Sequence, residues 1–188
     1  MEEILLFLCQ IRPLSAECLA YLRANIKRLK VPKDQVILRI GEVNSKMYFI
    51  KTGLLHCFYY VKEKPVSDFF FFENEVVVSV GSFYKQVPSE GCLEALEESD
   101  LYYITKEVYD HCCETYMEFN YIARVFLEKY VQVFHEHAWL IRIHKARERY
   151  RIVLSRMPEL IRRIPLGPLA SWLGMDQAHL SRIRGKKK

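Results

Sequence analysis

The spacing of apolar side chains changes twice along the chain. Residues 1–28 carry apolar positions three and four apart, which predicts helix, and Ser15 follows Pro13 as a candidate N-cap. From Leu29 to about Ile104 the pattern becomes short runs rich in Val, Ile, Tyr and Phe, separated by Gly and Pro. The strand-sized runs are 35–40, 47–51, 54–61, 66–72, 75–80 and 101–104. Because no helix-length segment interrupts them, we predict an α+β fold built on an antiparallel β-roll of the jelly-roll type with flanking helices.

A helical period returns after Thr105 and predicts one long helix. Residues 118–143 contain no Gly or Pro, and apolar side chains recur there at alternating steps of three and four. Further apolar side chains, such as Tyr121 and Phe134, lie off this stripe, so the apolar surface is wider than one small roll can cover. We therefore predict a homodimer; the alternative is a helix packed wholly within one domain. The predicted interface consists of Ile122, Phe126, Tyr130, Val133, His137 and Leu140.

The segment LGPLASWLGMDQAHLSRIRGK, residues 166–186, predicts a helix-turn-helix. The small side chain of Ala170 lets the second helix cross closely, and Gly174 supplies a turn conformation that is unfavourable for other residues. Asp176 can then cap the second helix. Apolar positions surround these residues at Leu169, Leu173, Met175, Leu180 and Ile183. A helical hairpin inside a core is the alternative.

Charge divides the chain into two parts of opposite sign. Residues 142–188 hold 13 Lys and Arg against 3 acidic side chains, a net charge of +10, while the rest of the chain carries −5. A basic module of this kind suits a polyanion, so we predict double-stranded DNA as a partner. On the second helix, Arg182 can donate to both O6 and N7 of guanine. The predicted DNA-binding residues are Gln177, Ala178, Ser181, Arg182, Arg184, Lys186 and Lys187, of which Ser181, Arg184 and the two lysines are assigned to phosphates.

Several classes of protein are disfavoured. No apolar run approaches the roughly 20 residues of a membrane span, and Glu2 and Glu3 stand where a secretory signal carries positive charge, so we predict a cytoplasmic protein without membrane contact. The 6 cysteines form no CxxC pair, and we predict neither a metal site nor a cofactor. Because no nucleophile or phosphate-binding motif is present, we predict no enzyme activity. We expect His56 to be packed or hydrogen-bonded, and the carboxylates of the strand region to be solvated; these are Glu73, Glu75, Glu94 and Glu97.

Three segments carry a resemblance to a known family. ILRIGEVNSKMYFIKTGLLHCFY and EALEESDLYYI look like strands and turns of its β-roll, and LASWLGMDQAHLSRIR looks like its recognition unit, including the pair Ser181 and Arg182. Over almost its whole length the chain resembles the Crp/Fnr family of bacterial transcription regulators. The resemblance implies a homodimer that binds a near-palindromic operator and contacts RNA polymerase. It also implies a cyclic-nucleotide-binding-like effector domain (1–116), a dimerisation helix (117–143) and a DNA-binding domain (144–188).

The implied effector pocket departs from the family pattern. Where the family has a glutamate that holds ribose and an arginine that holds the cyclic phosphate, the segment VGSFYKQVPSEGCLEALE places Ser82 and Ser89, followed by Glu90. A phosphate would meet a carboxylate and no cation, so we do not expect cyclic AMP to bind. The pocket implied by the resemblance is Ser82, Phe83, Tyr84, Ser89 and Glu90, with an unidentified small-molecule effector. The alternative function is a small-molecule or protein-binding roll whose basic tail binds acidic partners nonspecifically.

Overall fold

The computed structural model describes residues 1–185 as two antiparallel sheets between N-terminal and C-terminal helices. Its helices are α1 (Glu2–Ile11), α2 (Ala16–Asn25), α3 (Val80–Lys85), α4 (Lys106–Thr115), α5 (Met117–Ile143), α6 (Ala146–Arg156), α7 (Pro158–Arg163), α8 (Leu166–Trp172) and α9 (Gln177–Gly185). Its strands are β1 (Lys27–Val31), β2 (Val36–Leu38), β3 (Lys46–Thr52), β4 (Leu55–Val61), β5 (Lys64–Phe71), β6 (Val76–Val77), β7 (Gly91–Ala95) and β8 (Ser99–Thr105).

The strands form the predicted roll. One four-stranded sheet has the order β1-β8-β3-β6 and the other β2-β7-β4-β5, with antiparallel pairing throughout. Because side chains alternate along a strand, β3 sends Tyr48 and Ile50 into the core between the sheets and Phe49 into a second core on the outer face. The second core is completed by α1, α2, α4 and the start of α5. The α+β fold with an antiparallel roll and flanking helices is confirmed.

Four parts of the fold differ from the sequence prediction. The N-terminal helical segment is two helices, and Ser15 caps the second by accepting a hydrogen bond from the Cys18 amide at 3.2 Å. Residues 27 and 28, predicted as the end of the helix, belong to β1 (Lys27–Val31) because they pair with β8. The sequence pattern did not predict β7, because that strand begins at Gly91. Gly91 lies so close to β4 that an added Cβ would be 2.9 Å from the Tyr59 ring. The predicted strand at 75–80 is only two residues long and leads into α3.

The long helix agrees with prediction, but its predicted dimer face packs inside the chain. Ile122 is 1% exposed, and Phe126 packs with it in the second core. Farther along, Tyr130, Val133 and Leu140 pack against the first core. The remaining member, His137, accepts or donates a hydrogen bond at the Trp172 carbonyl, 3.0 Å away.

The assignment of this stripe to a dimer interface therefore needs correction. Periodicity showed that one face of the helix is covered, and in the structure the covering groups are the roll and α8 of the same chain. Six apolar side chains of α5 are exposed: Met117, Tyr121, Val131 and Trp139 lie on the opposite face, and the other two are Leu127 and Ile143. Among residues 1–185, no helix is long and apolar enough to cross a membrane.

Candidate nucleic-acid interface and roll cavity

Helices α8 and α9 have the predicted helix-turn-helix connection. Gly174 lies in the turn with φ +64°, in the left-handed region that favours glycine, and an added Cβ would lie 2.9 Å from Arg149 Nη1. The Asp176 carboxylate accepts a hydrogen bond from the His179 amide at 2.7 Å and thereby caps α9. Ala170 is buried where the helices cross. The turn and cap predicted from the sequence are both present.

Helix α9 has one buried side and one exposed side. Leu180 is fully buried, which fixes the rotation of the helix. Four of the predicted DNA-binding side chains lie on the exposed side; they are Gln177, Ala178, Arg182 and Ser181, the last of which was assigned to phosphates. The structure therefore brings the predicted base-reading residues together on one solvent-facing surface.

The Arg184 side chain is directed towards α6 and α7 rather than away from the chain. Its guanidinium lies 5.6 Å from the Tyr150 ring centroid and donates to the Ile161 carbonyl at 3.4 Å. These contacts connect α9 to α6 and α7. The Arg184 guanidinium, predicted to bind a DNA phosphate, therefore binds groups of its own chain in this structure. The predicted contacts at Lys186 and Lys187 lie outside the described residues.

An arginine at the end of α7 joins the helix-turn-helix to the roll. Arg163 donates to the Glu73 carboxylate at 2.9 Å, the Glu97 carboxylate at 2.8 Å and the Gly53 carbonyl at 3.0 Å. The Gly53 amide in turn donates to Glu73 at 2.9 Å. We call these four residues the Arg163 clasp. Burial pushes the pKa of Glu73 upward, but hydrogen bonds from Arg163 and Gly53 outweigh it and hold the pKa below its ordinary value.

No sequence pattern predicts the Arg163 clasp. Arg163 lies 110 residues from Gly53 and 66 from Glu97, and no local pattern connects such positions. The expectation that the strand-region carboxylates are solvated is corrected here, because Glu73 and Glu97 bind Arg163. Hydrogen bonds to both carboxylates raise the pKa of Arg163, so the guanidinium is always charged.

A second connection runs from β7 through β4 and β5 to α8. Glu94 contacts His56 Nδ1 at 2.9 Å, and His56 Nε2 contacts Ser67 Oγ at 2.8 Å. The Ser67 amide then donates to Ser171 Oγ at 2.9 Å. Although Ser, His and Glu in this order resemble a hydrolase triad, His56 is 2% exposed and Ser67 8% exposed, so a substrate has no access. His56 is packed and hydrogen-bonded, as predicted.

Trp172 is the apolar part of the same junction. Its ring stacks on His137 with centroids 4.7 Å apart and meets Phe69 and Phe70 edge-on at 5.9 and 5.8 Å. Burial lowers the pKa of His137, so the imidazole is neutral near pH 7. The helix-turn-helix therefore packs directly on the roll of its own chain.

In the set implied as an effector pocket, Ser82 and Ser89 are buried and hydrogen-bonded within the chain. Ser82 Oγ donates to the Val87 carbonyl at 2.6 Å and accepts from the Asn44 amide at 2.8 Å. Ser89 Oγ bonds the Gly91 carbonyl at 2.8 Å, and both serines are 2% exposed. Their hydroxyls are therefore occupied by the chain itself.

The other three residues of that set, Phe83, Tyr84 and Glu90, lie in different surroundings. Phe83 is fully buried, and Glu90 is exposed. Tyr84 is the one member of the set that lines the nearby cavity. Within this segment the structure places no buried cation.

The cavity, which we call the roll cavity, lies between the roll and helices α1, α2, α4 and α5 and has a volume of about 110 Å³. Aromatic side chains dominate its wall, among them Tyr48, Phe71, Tyr130 and Phe134.

Glu75 is a half-buried carboxyl at this cavity. Its carboxylate accepts from the Phe72 amide at 3.2 Å and lies 3.5 Å from the Lys129 ammonium. Burial raises the pKa of Glu75 above its ordinary value. The wall thus contains the ion pair of Glu75 and Lys129 among mainly apolar and aromatic side chains.

Comparison with known proteins shows which solved structures share this fold. No protein-family model matches the sequence, and no curated protein matches it. The c-di-GMP-responsive global regulator CLP of Xanthomonas campestris superposes with a TM-score of 0.73 at 17% identity, over 92% of this chain and 91% of that one. A putative transcriptional regulator of the crp/fnr family from Eubacterium rectale gives 0.72 at 13% identity, over 90% and 82%.

FixK2 of Bradyrhizobium japonicum is similar to the same degree, with a TM-score of 0.71 at 15% identity over 86% of this chain and 83% of that one. At these identities the comparisons establish the fold alone. The resemblance to Crp/Fnr regulators found in the sequence is confirmed at that level.

Proposed function

We propose that this chain is a Crp/Fnr-type transcription regulator that binds double-stranded DNA through α9. The exposed side of α9 carries the proposal, because Gln177, Ser181 and Arg182 face solvent from a helix fixed by the buried Leu180. The second helix of a helix-turn-helix is the one that enters the major groove. The net charge of +10 over residues 142–188 supports binding to a polyanion. The function is one of binding and includes no catalytic step.

The proposal assigns a role to each part of the chain. Residues 1–116 are the effector domain, 117–143 the dimerisation helix and 144–188 the DNA-binding domain. In a homodimer the two α9 helices would reach half-sites about 34 Å apart, which accounts for a near-palindromic operator. RNA polymerase is a further proposed partner, and the protein acts in the cytoplasm.

The test of this function is sequence preference. We expect selection from random duplexes to yield a preferred site, and Arg182→Ala to weaken binding to that site by about 1 to 3 kcal/mol while relaxing preference at one base pair. Lys187→Ala is the control, since losing a phosphate contact should weaken preferred and random duplexes alike. Equal affinity of the unmodified protein for all duplexes would instead support the nonspecific basic tail.

The dimer requires a face that the chain itself leaves uncovered. Met117, Tyr121, Val131 and Trp139 are 83%, 39%, 61% and 58% exposed and lie on one side of α5. With a rise of about 1.5 Å per residue, this stripe extends for about 33 Å, enough for two helices to pack along each other. We propose this stripe as the contact between the two copies.

We expect Val131→Glu to convert the dimer to monomers, because the added carboxylate would have to lose its water on association. Val61→Glu places the same charge on an exposed valine of the β4 hairpin and should leave the dimer intact. Sedimentation velocity measures both. A monomeric unmodified protein, or a Val131→Glu dimer of unchanged affinity, would contradict this interface. Val133 is unsuitable for the test because it packs against the chain's own core.

A further inference from the structure

Arg149 on α6 connects the end of the long helix to the turn of the helix-turn-helix. Its Nε donates to the His144 carbonyl at 2.7 Å, and its Nη1 donates to the carbonyls of Leu173 at 2.9 Å and Gly174 at 3.3 Å. His144 is the C-cap of α5, and Leu173 is the C-cap of α8. One guanidinium therefore binds the carboxyl-terminal ends of two helices at once. We call these contacts the Arg149 bridge.

Electrostatics explains why an arginine suits this position. The last carbonyls of a helix have no partner within the helix and carry a partial negative charge, which a cation stabilises. Arg149 is half-buried, and within residues 1–185 its guanidinium pairs with backbone carbonyls and with no carboxylate. A guanidinium offers five donors in a rigid planar fork, whereas the ammonium of lysine is a single flexible point charge. Arginine therefore holds these carbonyls in one fixed arrangement.

The turn is also packed against the end of α5. An added Cβ on Gly174 would lie 3.7 Å from Ile141 Cδ1. Only two residues, His144 and Lys145, separate α5 from α6. The connection between the long helix and the DNA-binding segment is therefore short, and the Arg149 bridge closes it.

Hydrogen bonds join the helix-turn-helix to α5 at two places in the described part of the chain. The first is the bond between His137 and the Trp172 carbonyl, and the second is the Arg149 bridge at His144. At a rise of about 1.5 Å per residue, these places are about 10 Å apart along α5. Two separated contacts fix a direction, whereas one contact leaves a pivot. The direction of α9 relative to α5 therefore depends on Arg149.

We propose that Arg149 is a positioning residue that sets the separation of the two DNA half-sites which the dimer accepts. The role rests on the proposed function, since it needs two copies joined along α5 that each present one α9. Inserting one base pair between half-sites moves one of them by about 3.4 Å and turns it by about 35° around the duplex. Two α9 helices held at a fixed direction cannot follow that movement. Without the Arg149 bridge, each α9 can turn about the His137 contact and reach both half-sites.

Binding to duplexes with altered half-site spacing tests the proposal. Gel-shift titrations compare a selected site with the same site after one base pair is inserted or removed at its centre. We expect the unmodified protein to lose about 10-fold or more in affinity on the altered duplexes, because simultaneous engagement of both half-sites is lost. Arg149→Met should reduce that loss to about 3-fold or less and retain the same half-site sequence preference. A merely structural role would weaken all duplexes alike.

Two further variants separate geometry from charge and from folding. Arg149→Lys keeps the cation without the planar fork, so it should also relax the spacing. It decides the outcome if circular dichroism shows that Arg149→Met is not folded. Arg147→Met is the matched control, because Arg147 is exposed and lies about 200° away from Arg149 around α6. That variant should keep the spacing dependence of the unmodified protein.

A measurement without DNA keeps this proposal apart from the proposed function. Lys145 is exposed between α5 and α6, and a lysine-specific protease cleaves after it when the connection opens. We expect this cleavage to be about 10-fold faster in Arg149→Met than in Arg147→Met, the effect of losing a charge-assisted hydrogen bond. If the unmodified protein bound all sequences equally, the proposed function would fail, and cleavage would still decide whether Arg149 holds the connection.

Three results would overturn the role of Arg149. The first is unchanged cleavage after Lys145 in folded Arg149→Met. The second is spacing dependence that is undiminished in both Arg149→Met and Arg149→Lys. The third is an unmodified protein that prefers a half-site sequence but is indifferent to the separation of the half-sites.

Discussion

Replacing Arg163 with alanine should lower the free energy of unfolding by about 2 to 4 kcal/mol, measured by urea denaturation. The guanidinium is 29% exposed, and it binds two carboxylates and a carbonyl. Without it, Glu73 and Glu97 keep their negative charges in a partly buried site and repel each other. Arg162→Ala is the matched control, because Arg162 is 72% exposed and pairs only with Glu159 on its own helix. That variant should stay within about 0.5 kcal/mol of the unmodified protein.

The effect of Arg163→Ala should also depend on pH. The folded pKa of Glu73 lies below its ordinary value of 4.5, so its contribution is present above the unfolded pKa and is lost as pH falls through the folded pKa. The gap in stability between the two proteins should therefore narrow below about pH 4.5. A gap that is constant with pH, or an Arg162→Ala protein equally destabilised, would show that the clasp is not the cause.

Gly53→Ala should be at least as damaging, with a loss of about 3 to 5 kcal/mol in the same measurement. Gly53 has φ +117°, a conformation that side chains rarely adopt. An added Cβ would lie 2.1 Å from Ser99 Oγ and 2.8 Å from the Ser99 Cα, so the backbone of β8 must move. Because Gly53 bonds both Glu73 and Arg163, that movement also disturbs the clasp.

Gly81→Ala is the control for the glycine prediction. Gly81 lies in α3, and an added Cβ there meets nothing within 4 Å. The substitution should be neutral or stabilising by about 0.5 to 1 kcal/mol, since alanine favours helix. Comparable losses in the two alanine variants would mean that crowding at Ser99 is not what makes Gly53 necessary.

Some of this architecture could be predicted because the signals are local. The long helix α5 follows from a run without Gly or Pro, and its observed span, Met117–Ile143, begins one residue from the prediction. In the helix-turn-helix, Gly174 and Asp176 mark the turn and the cap within a few residues of each other. Both rest on backbone chemistry that neighbouring residues determine.

The remaining features depend on contacts between distant segments. An apolar stripe shows that a face is covered but not by what, which is why Tyr130 and Val133 were assigned to a partner and belong to the chain's own core. The Arg163 clasp and the partners of Glu94 likewise arise only when the roll closes. A cavity between packed elements, such as the roll cavity, cannot be predicted from a single sequence.

The packing of α8 against β5 means that the roll is not a freestanding module. β5 is at the edge of its sheet, where Ser171 occupies the Ser67 amide and Trp172 covers Phe70. If the chain were cut after residue 144, that edge would carry a free amide beside an uncovered aromatic side chain. Such an edge is a template for strand addition by another molecule. The C-terminal helices therefore protect the roll from self-association. A variant that lacks the DNA-binding segment is thus expected to aggregate as well as to lose regulation, and the two effects must be measured separately.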